Sequence, residues 1–432
     1  MPATSDVHPA TPGQADLAAS KNGASKNARA DKPTTAGLWI ALVFTLIPLV
    51  CLAVPMYVIR PFRPQDPAQL AAALEIRDLG PWLSAIAAVV VAAITLWAWK
   101  RTISLWRKIA FASLCMLATA GACATHINIF EIMFHPYASP DFGPAESAAI
   151  DATDKVLAVK VGDDSHAYPI RTMGYHHIVN DTVGGLPIAA TYCTLCHAGL
   201  VWSRQLDGLV LTFRLAGINN GNALMRDEQT NTIWQQSTGQ GIFGSLKGRQ
   251  LVLVHSDELT FSLWRAEQPH GLVLKPDAPY ASEYEVKDWE THIEKTHTVI
   301  DTSRTGIAPH ELMLGVSIAG EDKAYPIKAI LAAKAVQDQV AGVPILIVVG
   351  PDNASIRVFK IRSGDPPITF LPALLPGDGS VMRDAGTGSR WNFQGCAIDG
   401  KQAGQCLAPA DSSKDYWFDW MNHHPRTEIF RS

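Results

Sequence analysis

Cys193 and Cys196 are separated by two residues and followed by His197, in the run Thr191-Tyr-Cys-Thr-Leu-Cys-His197. Two thiols at that spacing can close a disulfide within one turn or hold one metal ion between them. Four chemistries fit the pattern. The first is dithiol–disulfide exchange, in which a thiolate attacks and a nearby imidazolium lowers its pKa. In that reading Cys193 and Cys196 are the catalytic pair, and His176, if folding brings it close, tunes the thiolate or moves a proton. The second is a soft-ligand metal site, with Cys193, Cys196, His197 and Met225 as a set suited to copper. The third is haem c, because Cys-x-x-Cys-His is its attachment pattern; the strand-like flanks of the motif argue against a small helical haem domain. The fourth is a structural disulfide or zinc knuckle, although zinc needs two further ligands that the sequence does not single out.

A second polar constellation follows. Asn219, Asn220, Gly221 and Asn222 precede Met225, Asp227 and the run Trp234-Gln-Gln-Ser237. Asn and Gly take left-handed turn conformations readily, which accounts for part of the group. Asn222, Asp227, Trp234 and Gln235 remain candidates to contact a substrate. Upstream, Glu131 and His135 are four residues apart, so a helix would place them on one face, lining a route to the site or forming an ion pair.

The elements around these residues are short strands punctuated by turns. Lys155–Val161, 185–192, 199–204 and 210–215 have strand character, with turns at Gly162-Asp-Asp164 and Asp207-Gly208. Short helices are expected over 171–180 and 259–268. The same unit occurs twice. Leu157-Ala-Val159 returns as Leu314-Gly-Val316, Ala167-Tyr-Pro-Ile170 as Ala324-Tyr-Pro-Ile327, and Met225-Arg-Asp227 as Met382-Arg-Asp384. Trp234 and Trp391 keep that register, and after a one-residue slip Trp264 meets Trp420. A constant offset over such distant anchors points to a tandem duplication, 150–275 and 311–432, with 276–310 as linker. The second unit adds a helix over 327–340. It places Gly350, Asn353, Ala354 and Ala333 opposite Cys193, Cys196, His197 and His176, so the first unit holds the reactive residues and the second reads as scaffold or gate.

Ahead of the repeats, residues 36–134 are strongly apolar. Ala36–Ile59, Pro81–Trp99 and Ile109–Phe134 are each long enough to cross a bilayer, lack internal Lys or Arg, and carry Trp39, Trp82, Trp97 and Trp99 toward their ends. The first follows 35 polar residues and is too long for a signal-peptide core. Lys100, Arg101, Arg107 and Lys108 make the second connection basic, and Lys21, Lys26, Arg29 and Lys32 do the same for the tail, residues 1–35, which reads as disordered. Both are therefore cytoplasmic, and the repeats face outward. In an oxidising compartment Cys396 and Cys406 read as a loop staple, while Cys51, Cys115 and Cys123 read as packing residues within the spans. The net charge of −4 on 432 residues offers no basic surface for nucleic acid.

His176-x-Ile-Val-Asn-Asp181, Thr191-Tyr-Cys-x-x-Cys196, Asn222-x-x-Met-x-Asp-x-x-Thr230, Trp234 and Ser237-Thr-Gly239 together resemble the bacterial domain-of-unknown-function 3179 family. The resemblance covers 150–275 well and the second copy weakly. Some members are read as carrying selenocysteine within the corresponding Cys-x-x-Cys, which implies redox chemistry. It implies His176, Cys193, Cys196, Asn222, Met225, Asp227 and Trp234 as site positions, while His197 is not a fixed part of the motif.

The resulting expectation is a bacterial inner-membrane protein: three transmembrane helices followed by a mainly β (α+β) periplasmic region built from a duplicated unit. Its activity would be that of a thiol–disulfide or peroxide-linked oxidoreductase, with the lipid bilayer and a membrane or periplasmic electron donor as partners. The alternatives are a copper-binding or copper-delivery protein and a non-catalytic sensor or structural module. A reporter that works only outside the cytoplasm should be active when fused after Ser432 and silent when fused at Ser104; the reverse pattern rejects this topology.

Overall fold

The computed structural model describes residues 14–137, 139–361, 369–372 and 381–431. It separates into two compact units. One takes the chain up to Val58 and Pro67–Asn128; the other takes Ile59–Asp66 and everything from Ile129 onward.

The first unit is helical: α1 (Gln14–Val58), α2 (Pro67–Trp99) and α3 (Leu105–Ala124). Thr34–Val58, Pro67–Trp99 and Leu105–Ala124 are long and apolar enough to cross a membrane. Their outward faces carry exposed Trp39, Val50, Ile86, Val89, Leu96 and Met116, while Ala41, Val91, Ala98, Phe111 and Ala118 pack together. Three boundaries differ from the sequence reading. Helix α1 begins at Gln14, within the segment assigned to a tail, while residues 1–13 lie outside the described residues. Helix α2 starts at Pro67 rather than 81, because Pro67 is well placed in a first helical turn and Pro81 is tolerated inside. The third span ends at Ala124, and a separate short helix, α4 (Ile129–Met133), belongs to the second unit. Glu131 and His135 therefore do not share a helix face: Glu131 lies 3.8 Å from Arg226, and His135 stacks on Tyr280.

The second unit is mostly β, and its two halves follow the same plan. In the first half, Asp164–Pro169, Lys155–Val161 and Ser256–Thr260 are neighbours in one sheet. Ile178–Val183, Leu186–Cys193 and Ala198–Ser203 form a second sheet, and Phe213–Asn219, Asn222–Asp227 and Ile233–Gln235 a third. The second half orders Glu321–Pro326, Leu312–Ile318 and Ser412–Tyr416 in the same way, followed by Ala335–Val340, Val343–Val349 and Ile356–Lys360. Leu272–Leu274 and Glu428–Ile429 each pair in parallel, against His166-Ala167 and Lys323-Ala324; Phe142–Pro144 adds a further edge strand beside the first.

Each half also carries a helix after its second strand and another after its returning strand. These are α5 (Ile170–His176) and α6 (Phe261–Glu267) in the first half, and α8 (Ile327–Ala333) and α9 (Trp417–His423) in the second; α7 (Trp289–Ile293) lies between. Helix α8 does not continue to 340. Lys334 turns left-handed (φ 64°), and Ala335–Val340 continues as a strand whose Val336 and Val340 face the core. His177 (φ 62°) ends α5 in the same way, ahead of Ile178–Val183. No Gly or Pro marks either break, so local sequence continues the helix pattern across both.

Residues 276–310 are more than a linker. They contain α7 and two short 3-10 turns, and Tyr284 and Glu290 bond to residues of the first half.

Cys396 and Cys406 are disulfide-bonded, as the loop-staple reading expected. Closing a loop of sequence separation 10 restricts the unfolded chain. Replacing both by Ala should therefore cost about 3 kcal/mol of unfolding free energy in a denaturant titration. Alkylation of Cys193 should be unaffected; a change there would show that the staple and the thiol site are linked.

Candidate functional site

Cys193 ends the strand Leu186–Cys193, and Ala198, its pairing partner, begins the next. The ladder thus holds the four intervening residues in a tight turn, closed by the His197 N–H donating to the Thr194 carbonyl, with His197 left-handed (φ 57°). Both thiols are buried, at 2% and 0% exposure for Cys193 and Cys196. Their sulfurs lie 3.6 and 3.8 Å from the carbonyl oxygen of Gly221, in the turn between Phe213–Asn219 and Asn222–Asp227.

Asn222 is the centre of the site. Its Oδ1 accepts from the Ser237 backbone N–H (3.1 Å) and from Gln235 Nε2 (2.6 Å). A backbone N–H can only donate, so it fixes the amide orientation and turns Nδ2 toward the thiols. There Nδ2 lies 3.2 Å from Cys196 Sγ, 3.0 Å from Gln236 Oε1 and 3.2 Å from Asp419 Oδ2. Gln236 in turn donates to Thr191 Oγ1 and the Ala198 carbonyl, tying the hub to the strands that carry the cysteines. Asp419 comes from α9, in the half of the domain that lacks the Cys pair; Ser237 Oγ also donates to its Oδ2 (3.1 Å).

The two thiols are electrostatically unequal. Cys193 is held below the usual thiol range by a hydrogen bond from Cys196 and by the backbone N–H groups of Cys196, Ala223 and Leu195. Burial pushes Cys196 well up, and the neighbouring Cys193, Asp419 and Asp415 add to this. Of the two, Cys193 is therefore the more readily ionised, and Cys196 the one that holds its proton more firmly. Burial also raises Asp415 to about 7, and it raises Asp419 well above the carboxylate range, reinforced by Asp415 and Cys193. His423, lowered to about 4 by burial, stands neutral beside Asp419.

The turn over the thiols is anchored from outside. Asn220 is left-handed (φ 50°), and its backbone N–H donates to Gln65 Oε1 (2.6 Å) while its Oδ1 accepts from the Gln65 N–H (2.8 Å). Gln65 belongs to the connection between α1 and α2, in the same compact unit. Gly221 (φ 99°) lies so close to Phe418 that a Cβ there would come within 2.8 Å of the ring, so the position requires glycine on both counts. A small cleft walled by Phe62, Leu195, Asn220, Gly221, His310 and Phe418 reaches this turn.

The structure reassigns several residues. His176 does not touch a thiol through its ring nitrogens: Nδ1 bonds the His135 carbonyl (2.6 Å) and Nε2 the Tyr284 hydroxyl (3.1 Å), and burial among tyrosines lowers its pKa. His197 also turns away. Its Nε2 meets Glu290 at 2.7 Å and its Nδ1 the Tyr192 hydroxyl at 3.2 Å, and it stacks on Trp289. The copper set thus loses its imidazole, although Met225 is buried in the same apolar cluster as both cysteines. Among the described residues no three His, Cys, Asp or Glu side chains are grouped to hold an ion.

Asp227 and Trp234 form a structural latch. Asp227 accepts from the Thr230 N–H (2.5 Å), the Thr230 hydroxyl and Trp234 Nε1 (2.8 Å). The second half repeats it, with Asp384 accepting from Thr387 and Trp391. Of the four substrate-contact candidates, Asn222 and Gln235 reach the thiol site through the hub, and Asp227 and Trp234 do not. Asp415, Asp419, Gln236 and Ser237 are site residues that the sequence reading missed. Comparing the repeats in the opposite direction, for what the second unit has and the first lacks, finds Asp415 and Asp419 opposite Leu259 and Leu263.

Fold and site together define a mostly β domain with a buried, unequal dithiol, preceded in sequence by apolar helices of membrane-spanning length. The chain belongs to the family described as protein of unknown function (DUF3179), whose pattern matches residues 136–427 and so includes both halves and the segment between them. Comparison with curated proteins and with solved structures returns no match.

Asp227→Ala should destabilise the domain by roughly 1–3 kcal/mol, because it strands the Trp234 N–H in the core. The alkylation rate of Cys193 at a given pH should stay unchanged; a large drop would return Asp227 to the site.

Proposed function

We propose that the chain is a membrane-anchored dithiol–disulfide oxidoreductase whose β domain works outside the cytoplasm. The observation that carries this reading is the placement of two buried thiols over one carbonyl, 3.6 and 3.8 Å from Gly221, in unequal surroundings, with Cys196 alone 3.2 Å from the Asn222 amide that also holds Asp419. A thiolate-prone Cys193 beside a proton-holding Cys196 is the arrangement that an attacking and a resolving thiol require. The Cys193 thiolate attacks one sulfur of a substrate disulfide and expels the other as a thiolate. Cys196 then loses its proton and attacks Cys193, releasing the second substrate thiolate. Two electrons pass to the substrate, and a Cys193–Cys196 disulfide remains. With a peroxide, the Cys193 thiolate attacks one oxygen, the O–O bond breaks and hydroxide or an alkoxide leaves; Cys196 then attacks the resulting sulfenic acid and displaces its oxygen as water. Turnover then needs an electron donor in the membrane or the periplasm.

The anchor rests on the three apolar helices, and the orientation on the basic residues from Lys100 to Lys108. The Cys396–Cys406 disulfide agrees with an oxidising compartment. A tandem duplication accounts for the shared strand order and the constant offset between the halves, with the thiol chemistry kept at one loop.

With Cys51, Cys115 and Cys123 replaced by Ala, Cys193 should alkylate with a pH midpoint below about 8.5, the ordinary thiol value. Cys196 should remain protected at neutral pH, and mild oxidation should abolish the reaction by joining the two. Equal, slow reaction of both thiols would reject the reading, as would a haem absorption band that survives acid–acetone extraction.

A further inference from the structure

We propose that Asp419, supplied by the second half of the domain, is the acid–base partner of Cys196, giving it a proton when the disulfide opens and taking it back when the disulfide closes. The inference rests on the dithiol reading and assigns a proton-transfer residue to it. Its ground is geometric. Asp419 Oδ2 and Cys196 Sγ each lie 3.2 Å from the same Asn222 nitrogen, within two hydrogen-bond lengths of each other. That separation can be crossed directly after a small shift or through one water. The carboxyl is 1% exposed, and among the described residues its Oδ1 has no hydrogen-bond partner; the neutral His423 ring lies 3.6 Å from it. A buried carboxyl with an unused oxygen is costly, which a structural role alone leaves unexplained.

The corresponding place in the other half supports the same assignment. Gly350 and Asn353 stand there for Cys193 and Cys196, Phe393 for Gln236, and Leu263 of α6 for Asp419. A Cβ on Gly350 would lie 3.2 Å from Leu263, so that helix faces that loop just as α9 faces the thiols. Where the thiols are absent, the carboxyl is a leucine. The charged and polar groups around Asp419 are Cys193, Cys196 and Asp415 together with His423, Asn222 and Ser237. While the disulfide is closed, burial and Asp415 favour its protonated form; Cys193 adds to this only as a thiolate. In reduction, an external thiolate attacks Cys193 Sγ and the Cys193–Cys196 bond breaks. Cys196 leaves with the bonding electrons and takes the Asp419 proton. The products are a mixed disulfide on Cys193, a neutral Cys196 thiol and an Asp419 carboxylate, so charge and protons balance.

The test follows reduction of the Cys193–Cys196 disulfide by dithiothreitol across pH in the full-length protein lacking Cys51, Cys115 and Cys123. Asp419→Asn should slow the step about 100-fold at neutral pH and flatten its pH dependence beyond that of the reductant itself. Asp419→Glu should recover part of the rate. In the protein that retains Asp419, the reduced-minus-oxidised infrared spectrum should contain a protonated-carboxyl band that Asp419→Asn removes. If Asp419→Asn fails to fold, Ser237→Ala should shift the pH midpoint by loosening the Oδ2 contact. An unchanged rate and pH profile in Asp419→Asn overturns the proposal, as does a spectrum without a redox-dependent carboxyl band. Failure of the starting protein to form any Cys193–Cys196 disulfide instead defeats the dithiol reading, and this inference with it.

Discussion

The site depends on the orientation of a single buried amide. Asn222 is fully buried, and the Ser237 N–H leaves its side chain only one sense, carbonyl toward the backbone and nitrogen toward the thiols. From that nitrogen the geometry extends to Cys196, Gln236 and Asp419. Two amide hydrogens serve three acceptors, so the network is under-supplied with donors, and a proton held on Asp419 or Cys196 relieves it. Local hydrogen bonding thus favours the same protonation state as burial does. A charge on the pair is favoured on Cys193, where backbone N–H groups face it.

The two halves of the domain complete each other. The first supplies the cysteine turn and the Asn222 hub, and the second supplies α9, whose Asp419 reaches the hub and whose Phe418 packs against Gly221. Tyr416 seals the join, with its N–H donating to the carbonyl of Cys196. The second half is therefore part of the site rather than a scaffold beside it. The family match runs through both halves. Burial of both thiols keeps solvent and other thiols away, and the turn above them is held by Gln65, from the connection between the first two long helices.

The partly buried ionic group around His197 is a separate construction. Glu290 is held down to about 2 by the His197 hydrogen bond, and Lys155 lies 2.7 Å away; Lys414 meets Glu258 close by. These residues join α7, the first sheet and the returning strand of the second half. In this arrangement both nitrogens of the histidine adjacent to the cysteine pair bond to a carboxylate and a phenol.

The sequence by itself determined what depends on near neighbours and on period: the apolar helices, the strand Lys155–Val161, the loop disulfide and the Cys-x-x-Cys turn. Spacing along the chain is enough for these, because hydrophobic period and turn residues act within a few positions. The family was legible for the same reason, since its motifs are short and ordered. The breaks after His176 and Ala333 were not, because a left-handed His or Lys carries no local mark and the neighbouring strands had to select it. The partners of the thiols were decided by tertiary structure alone. Asn222 and Asp419 are 197 residues apart and meet only when the two halves pack. His176 and His197, close to the pair in sequence or in motif, were drawn elsewhere by a carbonyl and a carboxylate that satisfy them better. Side-chain chemistry over such distances is chosen by which buried polar atoms can be satisfied together, and residue spacing does not encode that choice.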